Sequence, residues 1–135
     1  MSKKSRVVII NDHPIRDLGG NTLVAKELAR QGVEVFIVPM AFQAREVFAL
    51  APDMVLINYI RNNNKNFIKK MIKVGIKVSL LDTEGGFFGD LTKYKLVLCK
   101  DRDILDNIEK IYVWGNKMFK YWQEGLGVAR DKLFL

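Results

Sequence analysis

One cysteine, one histidine and three prolines are all that 135 residues contain of these types. A lone Cys99 cannot close an internal disulfide, which agrees with a reducing compartment. A single histidine beside a single cysteine rules against an internal zinc cluster, so no metal is expected. No apolar run approaches the ~20 residues that cross a bilayer. The opening MSKKSR is basic, but the apolar stretch behind it, residues 7–10, is too short for a secretory signal. The chain therefore reads as cytoplasmic. Repeats, low-complexity tracts and Pro/Gly/Ser linkers are also lacking, and the length suits one domain.

What is present is a hydrophobic fraction of 49% and a surplus of base, 22 Lys and Arg against 15 Asp and Glu. The first is enough for a core. The second, a net charge of +7, favours anionic partners without choosing among phosphorylated metabolites, nucleic acid and an acidic membrane surface. No nucleic-acid motif occurs and the aromatics are not interleaved with bases on one strand, which disfavours nucleic acid. Lys65, Lys69, Lys70, Lys73 and Lys77 back an apolar stripe of Phe67, Ile68, Met71 and Ile72. Such a helix could rest on anionic lipid, at the inner face of the membrane, or simply turn its stripe to the core.

Short apolar runs alternate with helical patterns. Strands are predicted at residues 7–10, 33–38, 54–57, 76–81, 96–99 and 111–114, and a further apolar run begins at Leu133. Helices are predicted at 22–31, 43–51, 66–74 and 101–108, followed by one capped by Asn116 that carries Met118, Phe119, Trp122 and Leu126. Gly32, Pro52 and Gly75 act as stop signals. Trp114, Trp122 and Cys99 are assigned to the core. Continuous apolar runs, rather than period-two alternation, indicate a parallel sheet covered on both faces. The fold class is α/β, a Rossmann-like doubly wound parallel sheet in a three-layer sandwich.

In such a sheet ligands bind beyond the carboxyl ends of the strands. Four polar segments fall there: Asn11-Asp12-His13, Asn58-Tyr59-Ile60-Arg61, Asp82-Thr83-Glu84-Gly85-Gly86 and Gly115-Asn116. A carboxylate close to Phe87 and Phe88 would be partly desolvated, and a Glu84 tuned upward would serve as a proton acceptor. Gly85 and Gly86 would let backbone N–H groups approach a ligand. His13, with Asp12 to orient its ring, could exchange protons near neutrality. Gly19, Gly20 and Asn21 open the first helix, where unpaired N–H groups suit an anion, although the stretch matches neither GxGxxG nor the P-loop. Each of these also has a plain structural explanation as a turn or a capped helix start.

The stretches LLDTEGGFF, IYVWGNKMFKYW and GVARDKLFL, in this order, resemble the amino-terminal half of GT-B glycosyltransferases, in particular bacterial proteins of surface carbohydrate biosynthesis. The resemblance implies the acceptor side of a two-domain cleft, with a carboxyl-terminal domain, absent here, that holds a nucleotide-sugar donor. It implies a carbohydrate or lipid-linked acceptor and no further cofactor. Glu84 would take the acceptor proton, with Asp82 and His13 as rivals. Asp12, Gly19, Gly20, Asn21, Arg61, Thr83, Gly85, Gly86 and Asn116 would contact substrate. Without the second domain the chain should not catalyse transfer.

Two other families share features. IINDHPIRD and PDMVLIN are similar to stretches of receiver domains, but Asn58 stands where those carry the phosphorylated aspartate, and an amide forms no acyl phosphate. LGGNTLVAKELARQGVEVFIV has the rhythm of cobalamin-binding domains, whose D-x-H-x-x-G spacing is not kept by Asp12, His13 and Gly19.

Overall fold

The computed structural model describes residues 4–84 and 90–135. Gly85, Gly86, Phe87 and Phe88 lie outside the described residues. The elements are β1 (Arg6–Asn11), α1 (Leu18–Arg30), β2 (Glu34–Pro39), α2 (Gln43–Leu50), β3 (Met54–Ile57), α3 (Lys65–Lys73), β4 (Lys77–Leu81), α4 (Leu91–Val97), α5 (Arg102–Asn107), β5 (Ile111–Tyr112), α6 (Gly115–Lys120) and β6 (Leu133–Phe134). Every strand pairing is parallel, in the order β2-β1-β3-β4-β5-β6. This is the Rossmann-like doubly wound α/β fold that the alternating pattern predicts.

The order reverses once. From β1 the chain steps to β2 on one side, and from β3 onward it builds on the other. Right-handed crossovers then put α1 on one face and the later helices on the opposite face. Burial follows this division. Val8, Ile10, Val55, Ile57, Val78, Leu80 and Ile111 form one core with Val47, Ile68, Met71, Ile104, Leu105 and Met118. On the α1 face, Met54, Leu56 and Leu81 are half-buried, and Asn21 is the one buried residue of α1. The third layer is therefore thin: α1 covers β1 and β2, and the face of β3 to β6 beside it is only partly shielded.

Helix ends follow backbone chemistry. Gly32 and Gly75 sit at φ of +87° and +83°, the left-handed region where a side chain is strained. Each lets the following N–H fold back to a helix carbonyl, Val33 to Leu28 at 3.1 Å and Ile76 to Met71 at 3.0 Å. Arg61 to Asn64 closes the turn before α3, with the Arg61 amide donating to Asn64 Oδ1 at 2.8 Å.

Four expectations are corrected. Residues 96–99 are not a strand: Leu91–Val97 is α4, begun by Asp90, whose carboxylate accepts from the Thr92 amide at 2.8 Å. Leu91, Tyr94 and Leu98 recur at helical spacing there, while Leu96 points to solvent at 77% exposure. Leu98 and Cys99 instead meet the segment after β3, Leu98 through an isolated antiparallel bridge to Arg61 and Cys99 through its amide, which donates to the Ile60 carbonyl at 3.1 Å. Asn116 does not cap α6: the helix begins at Gly115, and Asn116 is an exposed residue of its first turn. Helix α1 starts at Leu18, so Gly19 and Gly20 are helical. Trp114 is not core. The strand ends at Tyr112, which leaves Trp114 on the rim at 59% exposure, whereas Trp122 and Cys99 are buried.

The lysine-backed helix α3 turns Ile68 and Met71 fully inward, with Phe67 and Ile72 against the same core. Lys69 meets Asp101 at 2.7 Å, and Lys70 sits 4.6 Å from the Phe48 ring centre. Its apolar stripe is thus covered, and only charge is left to face a membrane. Among the described residues no helix is long and apolar enough to cross one.

Candidate functional site

Backbone hydrogen bonds draw the ends of three strands together. The Asp82 amide donates to the Tyr112 carbonyl at 3.2 Å, and the Thr83 amide donates to the Asn58 carbonyl at 3.3 Å. The indole N–H of Trp114 donates to the Asp82 carbonyl. The turn after β4 is thereby fixed to β3 on one side and β5 on the other.

Asp82 is buried, and both its oxygens have partners. Oδ1 accepts from the Glu84 amide at 3.0 Å and Oδ2 accepts from the Tyr94 hydroxyl at 2.8 Å. Tyr94 in turn accepts from Trp122 Nε1 at 3.0 Å. Burial, and then the neighbouring Asp82 charge, raise the Tyr94 phenol well above the usual tyrosine range. Asp82 thus shapes the turn, and its position beneath Glu84 is set by that buried chain of bonds.

Glu84 is gripped from two sides. Arg61, from the loop after β3, binds one oxygen, and Arg16, from the segment after β1, lies 3.5 Å from the other. The Arg61 guanidinium lies 4.6 Å from the Tyr59 ring centre, so it is held by stacking as well. Arg16 also binds Asp17 at 2.6 Å and Asp12 at 3.2 Å. The hydrogen bond from Arg16 holds the Asp17 carboxyl below its ordinary range, helped by the His13 amide, which donates to Oδ2 at 3.1 Å.

These contacts join loops from β1, β3 and β4 in one network of four carboxylates, Asp12, Asp17, Asp82 and Glu84, and two guanidinium groups. Acid outnumbers base on this rim, although the whole chain carries a charge of +7. His13 is exposed; its Nδ1 accepts from the Arg16 amide at 3.3 Å, while Asp12 is bound to Arg16 rather than to the imidazole.

Beside the network is a hollow of about 660 Å³. One wall is the start of α1, with Arg16, Gly20 and Asn21. The other is the ends of β4 and β5, with Asp82, Thr83 and Trp114. A methyl group added at Gly19 or Gly20 would meet nothing within 4 Å. Asn21, buried, donates to Asn11 at 2.9 Å and ties α1 to the end of β1. Thr83 Oγ1 in the wall and Asn58 Nδ2 beneath it are buried without a hydrogen-bond partner. Each such group costs about 1–3 kcal/mol, which a ligand or solvent hydroxyl would offset. A larger hollow, about 780 Å³, lies at the opposite rim between Pro52, Gly75 and their neighbours. It faces the amino ends of the strands, where open parallel sheets do not take ligands.

Of the residues picked out in the sequence, Gly20, Asn21, Asp82 and Thr83 line the hollow, and Arg61, Glu84 and Asp12 join it through Arg16. His13, Gly19 and Asn116 are not in its wall, and Gly85 and Gly86 are not described. Sequence reasoning missed Arg16, Asp17, Tyr94 and Trp114. Arg16 carried a readable signal, since Asp12 is four residues before it in the same strand-end segment. Tyr94 carried none, because its partner is set by a contact between distant parts of the chain. Among the described residues no group of three or more His, Cys, Asp or Glu could hold a metal.

Fold and rim together define a Rossmann-like α/β domain with a hollow at the carboxyl edge of its sheet. No family model, curated protein or solved structure matches the chain.

Proposed function

We infer that this chain is the acceptor-side domain of a GT-B-type glycosyltransferase of surface polysaccharide or glycolipid synthesis. The observation that carries the reading is the meeting of the segments after β1, β4 and β5 around one hollow of about 660 Å³, of a size that takes a small ligand, with the segment after β3 tied to its wall through Asn58 and Arg61. Charge supports the acceptor over the donor. A rim with more carboxylate than guanidinium repels a diphosphate and tolerates a neutral, hydroxyl-rich molecule. In this reading Gly20 contacts the acceptor rather than donor phosphate, and Arg61 acts on it through Glu84. Glu84 is the proton acceptor, and it becomes available when an acceptor hydroxyl draws Arg16 away from it. Asp82 positions Glu84 through the Glu84 amide. A nucleotide-sugar would be bound by a second domain.

Chemical-shift mapping of the full chain tests this. Simple methyl glycosides should move the amides of Asn21, Asp82, Thr83 and Glu84, and a uridine diphosphate sugar should not compete. A rim that answers to the nucleotide and ignores the glycosides would overturn the reading.

One observation favours a second reading. The order β2-β1-β3-β4-β5 is that of receiver-like modules, and Asn58 follows β3. As such a module the chain would bind a partner without being phosphorylated. Incorporation of phosphate from acetyl phosphate would contradict both readings.

A further inference from the structure

Trp114 is 59% exposed, yet it is not a loose side chain. Its indole N–H is bound to the Asp82 carbonyl, and the residue lines the hollow. Tyr112, on the same wall and 40% exposed, continues this aromatic surface toward the partly shielded sheet face. A large aromatic ring kept out of the core but anchored at its edge is a preformed apolar surface. Across from it stand flat polar groups: the Arg16 guanidinium, the Asp17 carboxylate and the Asn21 amide, with the unpartnered Thr83 hydroxyl on the near side.

A ligand that fits has one apolar face and an edge of both donors and acceptors. It also carries no negative charge, because Asp12, Asp17, Asp82 and Glu84 outnumber Arg16 and Arg61 in the adjoining network. A nucleotide offers a flat face but fails on charge. A pyranose ring meets every condition: its axial C–H face is apolar and its rim of hydroxyls both gives and accepts hydrogen bonds.

We propose that Trp114 is the stacking platform of a carbohydrate site in this hollow, receiving the C–H face of one pyranose ring while Asp17, Asn21 and Thr83 bind its hydroxyls. This rests on the acceptor reading above and adds the residue that selects the sugar ring.

The test uses the full chain and the methyl glycosides of glucose, galactose and N-acetylglucosamine as probes. Trp122 is fully buried, so neutral acrylamide quenches the emission of Trp114. At least one glycoside should protect that emission. Trp114→Ala should weaken the same glycoside about tenfold and Trp114→Phe by a smaller factor, as a lost and a reduced aromatic contact would. Ligand-observed NMR reads the affinity of the variants, and near-ultraviolet circular dichroism from buried Trp122 verifies their fold. If Trp114→Ala and Trp114→Phe both bind the glycoside as tightly as the wild type, the platform is wrong while a carbohydrate site stands. If no glycoside binds the wild type, or uridine monophosphate binds in its place, platform and acceptor reading fall together.

Discussion

The Tyr94 hydroxyl donates to Asp82 Oδ2 across 2.8 Å while accepting from the Trp122 indole at 3.0 Å. All three side chains are buried. This relay fastens α4 and the segment after α6 to the turn that ends β4, and so holds the floor of the candidate site.

Tyr94→Phe removes the middle of the relay, taking one donor from the buried Asp82 carboxylate and the acceptor from the buried Trp122 indole N–H. The expected loss is about 2 kcal/mol, read from urea unfolding. Burial of the same phenol, with the Asp82 charge beside it, sets an alkaline limit. The folded phenol titrates above its unfolded value, so its contribution is fully present below about pH 10 and is lost as pH rises further. Ultraviolet titration should show one of the four tyrosines ionising only with unfolding, and Tyr94→Phe should lack that step.

The Arg61–Glu84 pair is partly shielded, with side chains 26% and 20% exposed. A double-mutant cycle with Arg61→Ala and Glu84→Gln should return a coupling of about 1 kcal/mol, at the upper end for surface pairs. A coupling near zero would mean that Arg16 alone holds the carboxylate.

Two backbone positions call for opposite changes. Gly19 lies in the first turn of α1 with open space where its Cβ would be, so Gly19→Ala should add about 0.5–1 kcal/mol. Ala51 ends α2 in the left-handed region at φ +44°, and Ala51→Gly should relieve about 1 kcal/mol. Both gains should appear as higher melting temperatures, and they should add because the sites share no contact.

Asp17 links acidity to stability. Its folded carboxyl titrates below its unfolded value, first through Arg16. The contribution is therefore full above about pH 4 and falls away as pH drops through the folded value. Asp17→Asn should lower stability at neutral pH by about 2 kcal/mol, and the difference from wild type should shrink on acidification. Parallel acid-unfolding curves for the two proteins would refute this.

Much of the fold was legible because strands β1 to β4 are apolar runs bounded by glycine, proline or polar residues. Strand β3 was placed to the residue. The segment 96–99 misled because an apolar run of four looks alike in a strand and at the end of a helix. The Asp90 start signal decided it, and only the Thr92 amide made it visible. Trp114 was misplaced because its fate depends on where β5 stops, which no local pattern in IYVWG fixes. At the site, the grouping of strand ends followed from topology. The partners of each acid did not, since Arg16, Arg61 and Tyr94 reach Asp82 and Glu84 from up to 68 residues away in sequence.

Strands β5 and β6 are two residues long and share two paired positions, Ile111 with Leu133 and Tyr112 with Phe134. The ladder from β5 to β4 is equally short, so the jaw of the hollow that bears Trp114 hangs from the two shortest ladders in the sheet, while the Asp82 jaw continues a strand of five residues. Gape at this mouth is governed by the weak jaw, and the indole's grip on the Asp82 carbonyl acts as its latch.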